Sequence, residues 1–205
     1  MYNRRIRGKA LFLRCFFLIL LGIFIISITA CGSYKITNVD NHYNLITIKQ
    51  SVGKFSFEYS NNYKVTKVEI KSTYTDLNLD GPEVGENQDI PFISIFTQKL
   101  NDGEYGYEND LKEELNSAKN TTDYQILEQF PVSLLGESGE EVAYYYMWKP
   151  PLGFTNDKPK PMVVRFLMFT HNNLLWRLEV NSVQSYSDSA KADFNHVVQT
   201  FKILN

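Results

Sequence analysis

Met162-Val163-Val164-Arg165-Phe166-Leu167-Met168-Phe169-Thr170-His171-Asn172-Asn173-Leu174-Leu175-Trp176-Arg177-Leu178-Glu179-Val180 carries the strongest short-range fold signal in this chain. Two apolar, β-rich runs flank His171-Asn172-Asn173, and asparagine tolerates the left-handed backbone that a tight hairpin needs. The spacing predicts paired strands over 162–170 and 174–180. Both runs are too apolar to leave a sheet face in water, so both faces must be covered.

Reading outward from the hairpin gives the remaining elements. Downstream, Ser185-Tyr186-Ser187-Asp188 has the spacing of a capping box, and Ala190, Phe194, Val197 and Phe201 then recur on one helical face. Upstream, Tyr124–Leu134 and Glu141–Trp148 read as strands joined at Gly136-Glu137-Ser138-Gly139. Tyr107, Leu111, Leu115 and Ala118 share one face of a second helix. Further strands are expected over Tyr43–Ile48, Phe55–Tyr59, Val65–Tyr74 and Ile90–Thr97, with an acidic loop over Asp76–Asp89. Many strands and two helices predict an α+β fold. Its expected form is an α/β/α sandwich: a central, mainly antiparallel sheet with one helix to each side.

The 205 residues allow one domain, and 43% hydrophobic with 21% charged residues is the composition of a folded protein. Charge is unevenly spread. Arg4, Arg5, Arg7, Lys9 and Arg14 precede any acid, so loss of the first thirty residues would take the formal charge from −2 to −7. An acidic domain is a poor match for nucleic acid, which needs a cationic footprint. The uncharged run Cys15–Ala30 would rise only about 24 Å as a helix, short of a comfortable span. Its basic lead and length read as a secretory signal.

That run ends in Ile28-Thr29-Ala30-Cys31-Gly32, which resembles the bacterial lipobox. The resemblance implies cleavage between Ala30 and Cys31, and lipidation of Cys31. Residues 1–30 are then the signal peptide, 31–42 the lipidated cysteine and its tether, and 43–205 a single domain. The expected location is the extracytoplasmic side of the cell membrane or the outer membrane.

Gly53-Lys54-Phe55-Ser56-Phe57-Glu58-Tyr59-Ser60-Asn61-Asn62-Tyr63 resembles the opening of PsbP-like domains, with Ser60 where proline is usual. Leu174–Val180 and Phe194-Asn195-His196-Val197-Val198-Gln199-Thr200-Phe201 resemble the family's last strand and helix. The resemblance implies an antiparallel sheet between helices over 53–205. The family's best-known members are extrinsic proteins of photosystem II that support its calcium and chloride demands, and many bacterial relatives are secreted or lipid-anchored. No photosystem-contacting residue can be matched here, so only the fold is implied.

Candidate chemistry is sparse. Asp76-Leu77-Asn78-Leu79-Asp80-Gly81 matches half of a calcium loop, to which Pro82 could add a carbonyl and Glu86 a carboxylate one place early. Exposed acidic turns carry the same residues. His42, His171 and His196 have no metal-ligand spacing, and Ser138 lacks a nucleophile-elbow context, so no catalytic residue is expected. The Lys149–Pro161 loop is long for a hairpin and keeps Leu152 and Phe154 beside Lys158 and Lys160. The expected function is a lipid-anchored, non-catalytic domain docking on an envelope protein. The alternative is a small-ligand or calcium-binding lipoprotein.

Overall fold

The computed structural model describes residues 34–49, 52–85, 88–101, 106–150 and 158–204. Ala30, Cys31, Glu86, Leu152 and Phe154, together with the whole 1–30 segment, lie outside the described residues.

Eleven strands and two α-helices make up the described chain. Strands β1 (Tyr34–Asn38), β2 (Tyr43–Ile48), β3 (Phe55–Ser60) and β11 (Lys202–Ile203) form a four-stranded antiparallel sheet in the order β1-β2-β3-β11. Strands β4 (Lys64–Ile70), β5 (Tyr74–Asp80), β6 (Phe92–Lys99), β7 (Thr122–Leu134), β8 (Glu137–Trp148), β9 (Lys160–His171) and β10 (Leu174–Val183) form a seven-stranded antiparallel sheet ordered β4-β5-β6-β10-β9-β8-β7. Helix α1 (Glu108–Ala118) connects β6 to β7, and α2 (Ser187–Thr200) follows β10. The β9–β10 turn is Asn172-Asn173, both left-handed with φ of 51° and 59°. This is the type I′ geometry that asparagine favours.

Strand periodicity explains how the large sheet buries two different faces. On one face, Leu77, Ile95, Leu178 and Leu167 lie in register across β5, β6, β10 and β9. They join Ile46, Ile48, Phe55 and Phe57 of the small sheet and Ala190, Phe194 and Val197 of α2 in the main core. On the other face, Val142, Val164, Phe166 and Met168 pack with Leu111 and Ala118 of α1. The α+β expectation stands, but the strands divide between two sheets. One face of the large sheet therefore meets a second sheet as well as a helix.

Several local expectations change. Residues 34–38, assigned above to the tether, form β1, because their backbone pairs with β2 from Tyr34 opposite Ile48 to Asn38 opposite Asn44. Asp40 closes that hairpin by accepting the amides of His42 and Tyr43 at 2.6 and 2.9 Å. Ser185 does not cap α2; it lies in a 3₁₀ turn over Gln184–Tyr186, and the helix begins at Ser187 without a side-chain cap. His196 is half-buried, stacked on Tyr43 at 3.8 Å and 3.2 Å from Glu58. On the other side of α2, Lys191 reaches Glu128 of β7 at 2.9 Å. Glu128 and Glu141 in turn hold the buried Arg165 at 2.8 and 2.5 Å.

Candidate functional site

The half-motif at Asp76–Gly81 is not a loop. Asp76, Asn78 and Asp80 are alternate residues of β5, so their side chains leave one sheet face in a row about 7 Å apart. That geometry spreads three oxygen ligands instead of converging them on one ion. Asp76 is also engaged by Lys67 at 2.5 Å. Gly81 is explained by packing: a Cβ there would come within 2.9 Å of Pro91 and 3.0 Å of Tyr63. The Asp76–Asp80 stretch therefore lacks the looped geometry of the calcium half-motif. Among the described residues, no group of three His, Cys, Asp or Glu side chains is placed to hold a metal.

The same face holds a polar cluster that sequence reasoning missed. The register aligns Asp76, Phe96, Arg177 and Met168 in one row, and Asn78, Ser94, Glu179 and Phe166 in the next. Arg177 binds Glu114 of α1 at 2.8 Å and Glu179 at 2.5 Å, with its guanidinium carbon 5.0 Å from the Phe166 ring centre. Tyr144 donates to the second oxygen of Glu114 at 3.1 Å. Burial pushes the Glu179 carboxyl up even with Arg177 against it. Burial also opposes ionisation of Glu114, but Arg177 and Tyr144 outweigh it and hold that carboxyl below its ordinary value. Beside the cluster is an open cleft of about 370 Å³ with Asp110, Glu113 and Gln98 on its walls. The arrangement pins α1 to the sheet, and the cleft wall also carries the Ser117 hydroxyl. The available signal was the strict alternation Arg177-Leu178-Glu179, which places both charges on one face of a strand whose other face is core.

A second feature lies at the sheet's outer edge. Among the described residues, strand β7 pairs only with β8; it exposes Ile126, Leu127 and Phe130, with Leu135 in the following turn, and these four are between 38% and 48% exposed. The β7–β8 register shifts between Thr122 and Gln125 and again between Ile126 and Glu128, and Pro131 sits within the strand. Bulges and proline are the usual protection of an open edge against strand addition. A partner would therefore meet side chains here instead of adding a strand. The turn is tighter than the sequence indicated: Leu135-Gly136 makes it, both with positive φ (56° and 85°), while Ser138 and Gly139 belong to β8. A leucine in left-handed backbone is strained by about 1–2 kcal/mol, and here its side chain is offered to solvent. Leu135→Asn is expected to raise stability by about 1 kcal/mol, read as a Tm increase of roughly 2–4 °C; an unchanged or lower Tm would contradict the strain.

Of the residues expected to meet a partner, Lys158 is exposed. Lys160 is half-buried: it pairs with Asp89 and lies 5.6 Å from the Trp148 ring centre, fastening the start of β9 to Asp89.

No family model matches the sequence, and no curated protein does. Solved structures do. LpqN of Mycobacterium tuberculosis, involved in cell envelope biogenesis, aligns with a TM-score of 0.55 at 12% identity, over 81% of this chain and 94% of its own. The cyanobacterial PsbP (CyanoP) of Synechocystis sp. PCC 6803 aligns with a TM-score of 0.51 at 12% identity, over 82% and 96%. The fold is PsbP-like.

Proposed function

We propose that this chain is a lipid-anchored, extracytoplasmic and non-catalytic domain that docks on an envelope protein through the β7 edge and the Leu135 turn. The observation that carries the docking half is Leu135 itself. A large apolar side chain is kept exposed at a backbone position better suited to asparagine or glycine, at the end of a strand that exposes three further apolar residues along its length. Local strain of that kind is characteristic of binding surfaces. The anchoring half is supported by the basic lead, the short apolar run and the Ile28–Cys31 motif. LpqN, which shares the fold, is involved in cell envelope biogenesis, in keeping with this setting.

A photo-crosslinker at Phe130 in the full chain should capture one discrete envelope protein in living cells. Leu127→Glu with Leu135→Asn should abolish the adduct without lowering the Tm. Cys31→Ser should stop both precursor cleavage and incorporation of labelled palmitate. A persistent adduct in the stable double variant would overturn the docking surface, and normal labelling of Cys31→Ser would overturn the anchor.

A further inference from the structure

Strand β1 begins at Tyr34, only three residues beyond Cys31. Whatever path the intervening residues take, covalent geometry keeps the two Cα atoms within about 11 Å. If Cys31 carries lipid, as the function proposed above requires, the small sheet has almost no tether and must sit at the headgroups. The end that faces them is fixed by register. Tyr34 lies opposite Ile48, Ile48 opposite Phe55, and Phe55 opposite Ile203, so these four residues mark the end of the sheet from which the chain leads back to Cys31.

That end is basic. Lys49 directly follows Ile48, Lys54 directly precedes Phe55, and Lys35 and Lys202 occupy the two ends of one cross-strand row through Thr47 and Ser56. All four lysines are exposed. An adjoining cleft, lined by Lys54, Lys99 and His171, extends the basic character, with Glu137 paired to His171 at 2.9 Å. The acids of the small sheet and its turns, Asp40 and Glu58, lie toward its far end. Four cations collected where the chain emerges is the reverse of the acidic charge of residues 31–205 as a whole. Acyl chains combined with a polybasic patch make a two-signal membrane attachment.

We propose that this basic end is the membrane-facing surface of the domain, seated on anionic lipid headgroups. It rests on lipidation of Cys31, and the test separates the two. Full-length protein purified from membranes is reconstituted in vesicles containing phosphatidylglycerol, and mass spectrometry reads the acylation of Cys31. With Cys31 blocked by lipid, a single thiol introduced at Lys202→Cys or Lys112→Cys takes an environment-sensitive fluorophore. Residue 202 is across the sheet from the anchor, on β11. Lys112 is exposed on α1, which packs on the opposite face of the large sheet.

Lipid-borne quenchers should quench the probe at 202 several-fold more than the probe at 112. The difference should shrink in phosphatidylcholine vesicles and in high salt. Lys35→Glu, Lys49→Glu and Lys54→Glu together should remove it while the acylated protein stays with the vesicles. Equal quenching at the two positions in vesicle-bound, acylated protein would overturn the orientation, and so would a difference that survives the charge reversal. An unacylated Cys31 would overturn the anchor and the orientation with it.

Discussion

Replacing Arg177 with leucine is expected to destabilise the domain by about 3 kcal/mol near pH 7, the scale of breaking a largely buried ion pair, and to make the remaining stability grow on acidification. The change leaves Glu114 and Glu179 facing each other's charge beneath α1 without their shared partner. In the parent the two carboxyls act in opposite senses. Burial favours protonation of Glu114, but Arg177 and Tyr144 prevail and hold it below its ordinary value, so its contribution is present above that value and fades as pH falls through the lower one. Glu179 is pushed up by burial; the folded state binds its proton more readily than the unfolded chain, so its contribution is complete in acid and is lost as pH rises through the raised value. Without the guanidinium, both carboxyls follow the second pattern. Urea titrations across the range from about pH 4.5 to 8 should show the variant's deficit widening with pH. A deficit independent of pH would mean that both carboxylates reach water and that the cluster is not the pin for α1 described above.

Trp176→Ala should cost about 3–5 kcal/mol and lower the Tm by roughly 10 °C or more. Trp176 is fully buried, stacked on Phe169 with ring centres 6.1 Å apart, and meets Phe55 and Phe201 edge-on at 5.6 and 5.5 Å. Its far edge fills the space where Gly53 has no side chain: a Cβ at Gly53 would stand 2.5 Å from the indole ring. Gly53→Ala should therefore be damaging in the parent and nearly neutral beside Trp176→Ala, a coupling that a double-mutant cycle measures. Additive losses would show that Gly53 is constrained by something other than the indole.

The elements legible in the sequence were those whose burial follows a simple period. The β9–β10 hairpin announced itself through two apolar runs and Asn172-Asn173. Helix α1 did so through Leu111 and Ala118, and α2 through Ala190, Phe194 and Val197, all of them buried. Strand β1 was missed because all five of its residues are exposed; with no buried face there is no pattern to find, and only pairing with β2 makes it a strand. Strand β5 was missed for the opposite reason. Its alternation of Leu77 and Leu79 with Asp76, Asn78 and Asp80 was visible, but the turn-forming character of Asp and Asn outweighed it, since the outer face of that strand is polar and half-buried. The Arg177 cluster depends on α1 delivering Glu114 across from another part of the chain. Local sequence holds no trace of that meeting, just as it holds none of the division into two sheets.

The pairing of β3 with β11 also sets an order of events during folding. Phe55 and Phe57 lie near the start of the described chain, yet their ring partner Phe201 lies near its end. Closing so long a loop has an entropic cost that grows only slowly with length, but the loop cannot close until its distal residues have been synthesised and released. The small sheet therefore stays unfinished while the chain is still emerging. The final aromatic contact therefore acts as a latch, closed when β11 reaches β3.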